Sequence, residues 1–267
     1  VYKRQLEYNG KNLIKEGLQA NFWRGLTDND VANGTPERCR IWKEAGKDAK
    51  LKDLKLNERS DKRQAIVTAT YRMEKQDADL NINYIIRPDG AVKVTMSFIP
   101  GQKQLPEMPR LGMRMILPAD YEMMTWLGRG PHENYADRLS SADLGLYEQR
   151  VADQYHDEYV RPQESGTKSD VRWWTVADSS GTGLTILSDA PFSASALPYA
   201  TADLDVSNFP PQQHSGTLTA RDATFVNFDL RQSGLGCIDS WGQLPEERFR
   251  VPYGDYTFRV LLRPTVK

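Results

Sequence analysis

Alternation with a period of two dominates this chain. Between residues 64 and 74, Ile66, Thr68, Thr70 and Arg72 share one side of an extended backbone, and Ala65, Val67, Ala69 and Tyr71 share the other. Leu80, Ile82, Tyr84 and Ile86 form a second run, closed by Pro88-Asp89-Gly90. Val92, Val94, Met96 and Phe98 form a third, closed by Pro100-Gly101. Alternating runs separated by turn-forming residues predict an antiparallel meander. Similar runs recur at 111–117, 171–176, 184–187, 225–230 and 256–262, and no long helical period competes with them. The best helical candidate is short, at 36–44. In 267 residues, enough to bury a sizeable core, this pattern predicts an all-β fold. The expected architecture is a large antiparallel β-sandwich in one continuous domain.

Charge narrows the partners. Lys plus Arg number 35 and Asp plus Glu 36, a net charge of −1, so nothing electrostatic favours nucleic acid or an anionic membrane. No run approaches the roughly 18 apolar residues that cross a bilayer. The opening Val1-Tyr2-Lys3-Arg4-Gln5 has neither a start Met nor the apolar stretch of a signal peptide, which leaves the compartment unassigned. Cys39 and Cys237 are too few for a disulfide framework or a zinc pattern and are read as unpaired thiols. His132, His156 and His214 have no metal-ligand spacing. Asn33-Gly34-Thr35 matches a glycosylation acceptor, a pattern short enough to arise by chance.

Two stretches break the alternation, residues 22–48 and 126–170. Long irregular segments within a compact β domain are usually functional or interface loops. They hold most of the acids that chemistry could use: Glu133, Asp137, Glu164 and Asp170, to which Asp239 is added. The general expectation for such acids is a backbone hydrogen bond or an Arg partner. Near the C-terminus, Asp239-Ser240-Trp241-Gly242 follows Gly234-Leu235-Gly236 and sets one indole among turn residues. A flat indole on a loop can stack on the apolar face of a sugar ring, although a packing role is the commoner use of such a Trp.

Four blocks carry a resemblance. Phe22-Trp23-Arg24-Gly25-Leu26-Thr27-Asp28-Asn29-Asp30 resembles the FWRAPTDND signature of the large bacterial β-galactosidases. The segment from Trp126 through Gly128-Arg129-Gly130-Pro131-His132-Glu133-Asn134-Tyr135 to Asp137-Arg138 resembles their W.GRGPHENY.DR. Tyr159-Val160-Arg161-Pro162-Gln163-Glu164-Ser165-Gly166 through Asp170-Val171-Arg172-Trp173 resembles YVRPQENG…DVRW, and Asp239-Ser240-Trp241-Gly242 resembles DNSWG. The blocks keep the family's order across residues 22–242. Ser165 departs from the family's usual Asn, and Cys237-Ile238 from its usual second turn, which bears on how Trp241 is angled.

The resemblance implies the C-terminal small-chain domain of a glycoside hydrolase family 2 β-galactosidase, a supersandwich similar in fold to galactose mutarotase. It implies residues 1–267 as that domain, lacking its first one or two strands. An unpaired edge there would favour association, so a homo-oligomer is an expected partner. It implies a retaining enzyme that removes terminal β-D-galactose, with both catalytic glutamates, and the Mg and Na ions, on a central (β/α)8 barrel. No strand–helix alternation in this chain leaves room for such a barrel. The chain is therefore expected to hold no catalytic residue, no metal and no cofactor, to be inactive alone, and to have the barrel and a β-galactoside as partners. The family's active-site Trp carries over to Trp241. Asp239, His132, Glu133, Arg161 and Glu164 are further substrate-binding candidates. Alternative readings are a galactose-binding module and a mutarotase-type epimerase using His132 and Glu133.

The remaining block residues read as structural. Arg24, Asp28 and Asp30 are expected to form a buried charge network, as are Arg129, Glu133, Arg138 and Arg161. Trp126 and Tyr135 are expected to pack. Met108, Met113, Met115, Met123 and Met124 fit core filling better than a docking face.

Overall fold

The computed structural model describes residues 6–59, 63–205, 213–236, 238–239 and 242–265. Its strands are β1 Glu7–Tyr8, β2 Lys11–Asn12, β3 Glu16–Asn21, β4 Lys50–Arg59, β5 Gln64–Met73, β6 Ala78–Ile86, β7 Val92–Pro100, β8 Arg110–Leu117, β9 Met123–Gly130, β10 Asp143–Arg150, β11 Lys168–Ala177, β12 Gly183–Leu197, β13 Thr224–Gln232 and β14 Tyr256–Thr265. β1 and β2 form a small hairpin, and the other twelve join one antiparallel sheet. The alternating runs all become strands. The structure corrects the reading of 126–170 as irregular, because β9 and β10 reach into it. Their side chains alternate too, but Gly128, Gly130 and Gly145 thin the pattern. α1 Asp28–Ala32 precedes the candidate helix at 36–44, which resolves into α2 Thr35–Arg38 and a 3-10 turn at Arg40–Trp42, and α3 Ala45–Asp48 follows it. A further short helix, α4 Thr201–Leu204, follows β12. No helix among the described residues is long and apolar enough to cross a membrane.

A single strand makes the sandwich. β12 pairs with β11 along one edge. On its other edge, Gly183–Ser188 pairs with β14 and Ser193–Leu197 pairs with β13. The exchange falls at Asp189-Ala190-Pro191, where Pro191 has no N–H to give a neighbour. One arm runs β10-β9-β11-β12-β14-β7-β6-β5-β4, and the other runs from β12 through β13 and β8 to β3. Strands that change sheets at a bend are how orthogonal sandwiches turn their corners.

The arms bury one apolar cluster. Val92, Val94, Met96 and Phe98 point inward from β7, and Lys93, Thr95 and Ser97 point away. Across the core, Phe228 of β13 meets Phe258 of β14 with ring centroids 6.3 Å apart, and Phe22 meets Phe98 at 5.6 Å. Met108, Met113, Met115 and Met124 are buried, so those methionines fill the core. At the other end Trp126 of β9 stacks on Trp174 of β11 at 5.3 Å, with buried Lys168 5.5 Å above the Trp126 ring. Burial lowers the Lys168 ammonium pKa to about 8. Cys39 is a free, buried thiol, and burial pushes its pKa to about 12, so it is a packing group and not a nucleophile. Cys237 lies outside the described residues.

Candidate functional site

The first two blocks, which stand apart in sequence, meet in space at residues 233–236 and 242. Arg24 is the centre of that meeting. Its Nε and Nη2 donate to the two carboxylate oxygens of Asp30 at 3.0 and 2.8 Å, a bidentate pair with 1% and 5% side-chain exposure. Two further N–H groups are used on the loop: Nη1 reaches the Ser233 carbonyl at 2.5 Å and Nη2 the Gly234 carbonyl at 3.1 Å. Burial opposes the guanidinium charge and Asp30 overcomes it, leaving the Arg24 pKa raised.

Asp30 is fixed by local sequence. It is the third residue of α1, after the cap Thr27. Thr27 Oγ1 accepts the Asp30 N–H at 3.1 Å, and Asp30 Oδ2 accepts the Thr27 N–H at 3.1 Å. This reciprocal cap lets a five-residue helix hold its position, because orphan donors of its first turn are satisfied. Thr27→Ala is expected to lower the stability of the chain by about 1 kcal/mol, the usual worth of such a cap. Urea denaturation of the two proteins measures it, and an unchanged midpoint would remove the cap from the account.

The same helix holds the loop again. Asn29 Nδ2 donates to the Leu235 carbonyl at 3.1 Å. Gly242, at φ +94°, lies so close to the end of α1 that an added Cβ would sit 2.5 Å from the Ala32 carbonyl oxygen. From the second block, Asp137 Oδ2 accepts the Gly236 N–H at 2.8 Å. Gly234 packs against the same carboxylate, where a Cβ would meet Asp137 Oδ2 at 2.5 Å.

The third block props up the first two. Arg161 Nε lies 2.6 Å from Asp28 Oδ1, and Gln163 Nε2 donates to Asp28 Oδ2 at 3.3 Å. Glu164 is buried; its Oε1 accepts from Arg110 Nη2 at 2.7 Å, Thr167 Oγ1 at 3.1 Å and Gln232 Nε2 at 3.1 Å. Arg110 Nε also lies 3.0 Å from Asp229 Oδ2. Arg24 and Arg110 thus serve three buried carboxylates, Asp30, Glu164 and Asp229, one more than the two guanidiniums balance. Burial raises the Asp229 pKa to about 7, although Arg110 pulls it the other way.

Asp28 differs from the expected buried network, since its side chain is 65% exposed and its partner is Arg161 rather than Arg24. Arg129 donates to Asp170 Oδ2 at 2.6 Å and to the Leu139 and Ala142 carbonyls, as expected of an anchor. Glu133 is held by Tyr159 Oη at 2.5 Å, Tyr135 Oη at 3.2 Å and the Gly166 N–H at 2.8 Å. His132 is exposed, with Nε2 3.5 Å from Ser141 Oγ. The two neighbours in sequence therefore face different partners. Asp239 is exposed and Oδ1 accepts the Gln243 N–H at 3.2 Å; Ile238 beside it is 56% exposed. Trp241 and Ser240 lie outside the described residues. Among the described residues no three His, Cys, Asp or Glu side chains are grouped to hold a metal.

Arg110, Asp229 and Asn29 were not distinguishable in the sequence as site-organising residues. Arg110 and Asp229 sit on ordinary-looking strands, and only the pairing of β8 with β13 brings them together.

Comparisons with known proteins identify the family. Residues 3–262 match the family model described as beta galactosidase small chain. The beta-galactosidase of Priestia megaterium is 35% identical over 234 residues, covering 88% of this chain and 22% of that protein. That of Lactobacillus delbrueckii subsp. bulgaricus is 34% identical over 245 residues, 91% of this chain and 23% of its own length. That of Vibrio cholerae is 30% identical over 267 residues, 96% and 24%. The chain thus spans about a quarter of these relatives or slightly less. Among solved structures, a GalM/aldose epimerase homologue from C. elegans is 10% identical over 80% of this chain and 69% of its own, with a TM-score of 0.40.

Proposed function

The chain belongs to the β-galactosidase small-chain family, and from that membership we propose that it works as one part of a β-galactosidase whose bond-breaking groups lie elsewhere in that enzyme. Its contribution is Trp241, set against the sugar from the 233–243 loop. What supports this reading is the anchoring of that loop. Arg24, Asn29, Asp137 and the close approach of Gly242 to α1 all fasten residues on either side of Trp241.

The physics of the role is simple. One face of a galactose ring is lined with C–H bonds, and an indole offers it a wide apolar contact. When the indole's support is rigid before binding, little conformational freedom is lost on contact. One stacked ring contributes about 1–2 kcal/mol. That helps to hold a sugar and is far short of the roughly 8 kcal/mol or more that chemistry requires.

Kinetics of Trp241→Ala in the full enzyme test the proposal. KM for lactose is expected to rise about 5- to 30-fold, the equivalent of that contact, with a smaller change in kcat. A collapse of kcat with KM intact would refute it. The 267-residue chain alone is expected to leave a chromogenic β-galactoside intact; turnover at enzyme-like speed would refute the assignment of chemistry to the rest of the enzyme.

A further inference from the structure

A polar recess opens on the shorter arm, and none of its described lining residues belongs to the 233–243 loop. It has a volume of about 390 Å³, within the range of small-ligand sites. Its charged lining is balanced: Lys43, Lys47 and Arg114 against Glu16, Glu44 and Asp205. A balanced set with many donors and acceptors favours a neutral, hydroxyl-rich guest over an ion.

Two of these groups have unused bonding capacity. The Asp205 side chain is 2% exposed. Its Oδ2 takes the Trp23 Nε1–H at 2.9 Å and lies 2.6 Å from Lys43 Nζ. Its Oδ1 is buried with no hydrogen-bond partner among the described residues, a costly state for a carboxylate oxygen. Arg114 is half-buried, and among the described residues its guanidinium donates only to Gln19 Oε1, from Nε at 3.3 Å and Nη2 at 3.1 Å. The Asn21 amide beside them donates to Asn227 Oδ1 at 3.0 Å, which fixes one wall. Trp23 is buried and spends its N–H on Asp205, so it orients the carboxylate and is not a stacking platform.

We propose that this recess binds a neutral pyranose, with one hydroxyl donating to Asp205 and another accepting from Arg114. Neighbouring ring hydroxyls each give and take a hydrogen bond, which matches an acceptor and a donor set side by side.

The test is calorimetric titration of the 267-residue chain with D-galactose and with D-glucose. Saturable binding with a Kd on the order of 1–10 mM is expected for at least one of them. Asp205→Asn and Arg114→Met should each weaken it about tenfold or more, the loss of one charged hydrogen bond. Trp241→Ala should leave it unchanged. Ala202→Trp guards against misfolding as the explanation, since Ala202 is exposed at the rim and outside these bonds. That variant should fold, by circular dichroism and Tm, and fail to bind. Absence of saturation with both sugars, wild-type binding by folded Ala202→Trp, or loss of binding in Trp241→Ala alone would overturn the proposal. The last result would move the sugar to the loop and leave the function proposed above standing.

Discussion

Replacing Arg24 with Met is expected to destabilise the chain by about 3–5 kcal/mol, because the change strands the Asp30 carboxylate in a buried position without its cation. The pair is almost wholly inaccessible, at 1% and 5% side-chain exposure, so solvent cannot take the guanidinium's place. Two carbonyls, of Ser233 and Gly234, lose their donors in the same step. The magnitude corresponds to a folding equilibrium shifted by about two to four powers of ten. Urea denaturation reads it directly. The double variant Arg24→Met/Asp30→Leu should recover part of the loss, since an apolar pair carries no stranded charge. A loss below about 1 kcal/mol in the single variant would mean that the pair behaves like a surface contact. In the full enzyme the same substitution should also raise KM, since the loop loses its principal tether.

The second large effect is a pH dependence carried by one carboxyl group. Asp229 has a folded pKa of about 7 against a reference value of 3.8. Between those values the folded chain holds a proton that the unfolded chain has released, so the stabilisation is complete below the unfolded pKa and is lost as pH rises through the folded one. Going from pH 4 to pH 8, this group should remove on the order of 4 kcal/mol, about three pH units' worth. Asp229→Asn resembles the protonated form in shape and charge. It should be close to wild type at pH 4 and distinctly more stable than wild type at pH 8. Denaturation curves at the two values, taken as a difference between the proteins, isolate the term from every other carboxylate. If wild type instead gains on the variant as pH rises, Arg110 is holding Asp229 charged, and the count of three carboxylates on two guanidiniums is the wrong description.

What could be read in the sequence was set by how locally each feature is determined. Val92, Val94, Met96 and Phe98 announce β7 because a strand's inward face needs only its own alternate residues. The cap Thr27–Asp30 is equally local, a spacing of three. β9 and β10 escaped because glycines replace side chains at positions that would have shown the alternation. β4 is exposed on both faces, so Leu51, Leu54 and Leu56 lie among Lys50, Lys52 and Lys55 with no buried side to mark. Charges along such an edge hinder pairing with another chain. The buried cluster was visible only in part. Arg24 and Asp30 stand six residues apart in an unusual motif, whereas Arg110 meets Glu164 from a loop 54 residues on and meets Asp229 only through the pairing of β8 with β13, more than a hundred residues away. Glu133 invited a chemical reading from its neighbour His132, yet it is surrounded by Tyr135, Tyr159 and the Gly166 N–H, contacts that no spacing reveals.

The transfer of β12 from one neighbour to another has a mechanical consequence. Its residues 189–191 are the point at which the two arms share a backbone without sharing a ladder partner on that edge. Flexure of one arm against the other therefore concentrates at a joint three residues long. The cavity beside Arg114 and the loop fastened by Arg24 both sit on the shorter arm's side of that joint or at its border, so a load applied to either reaches the longer arm through that strip and through the Phe22–Phe98 and Phe228–Phe258 contacts.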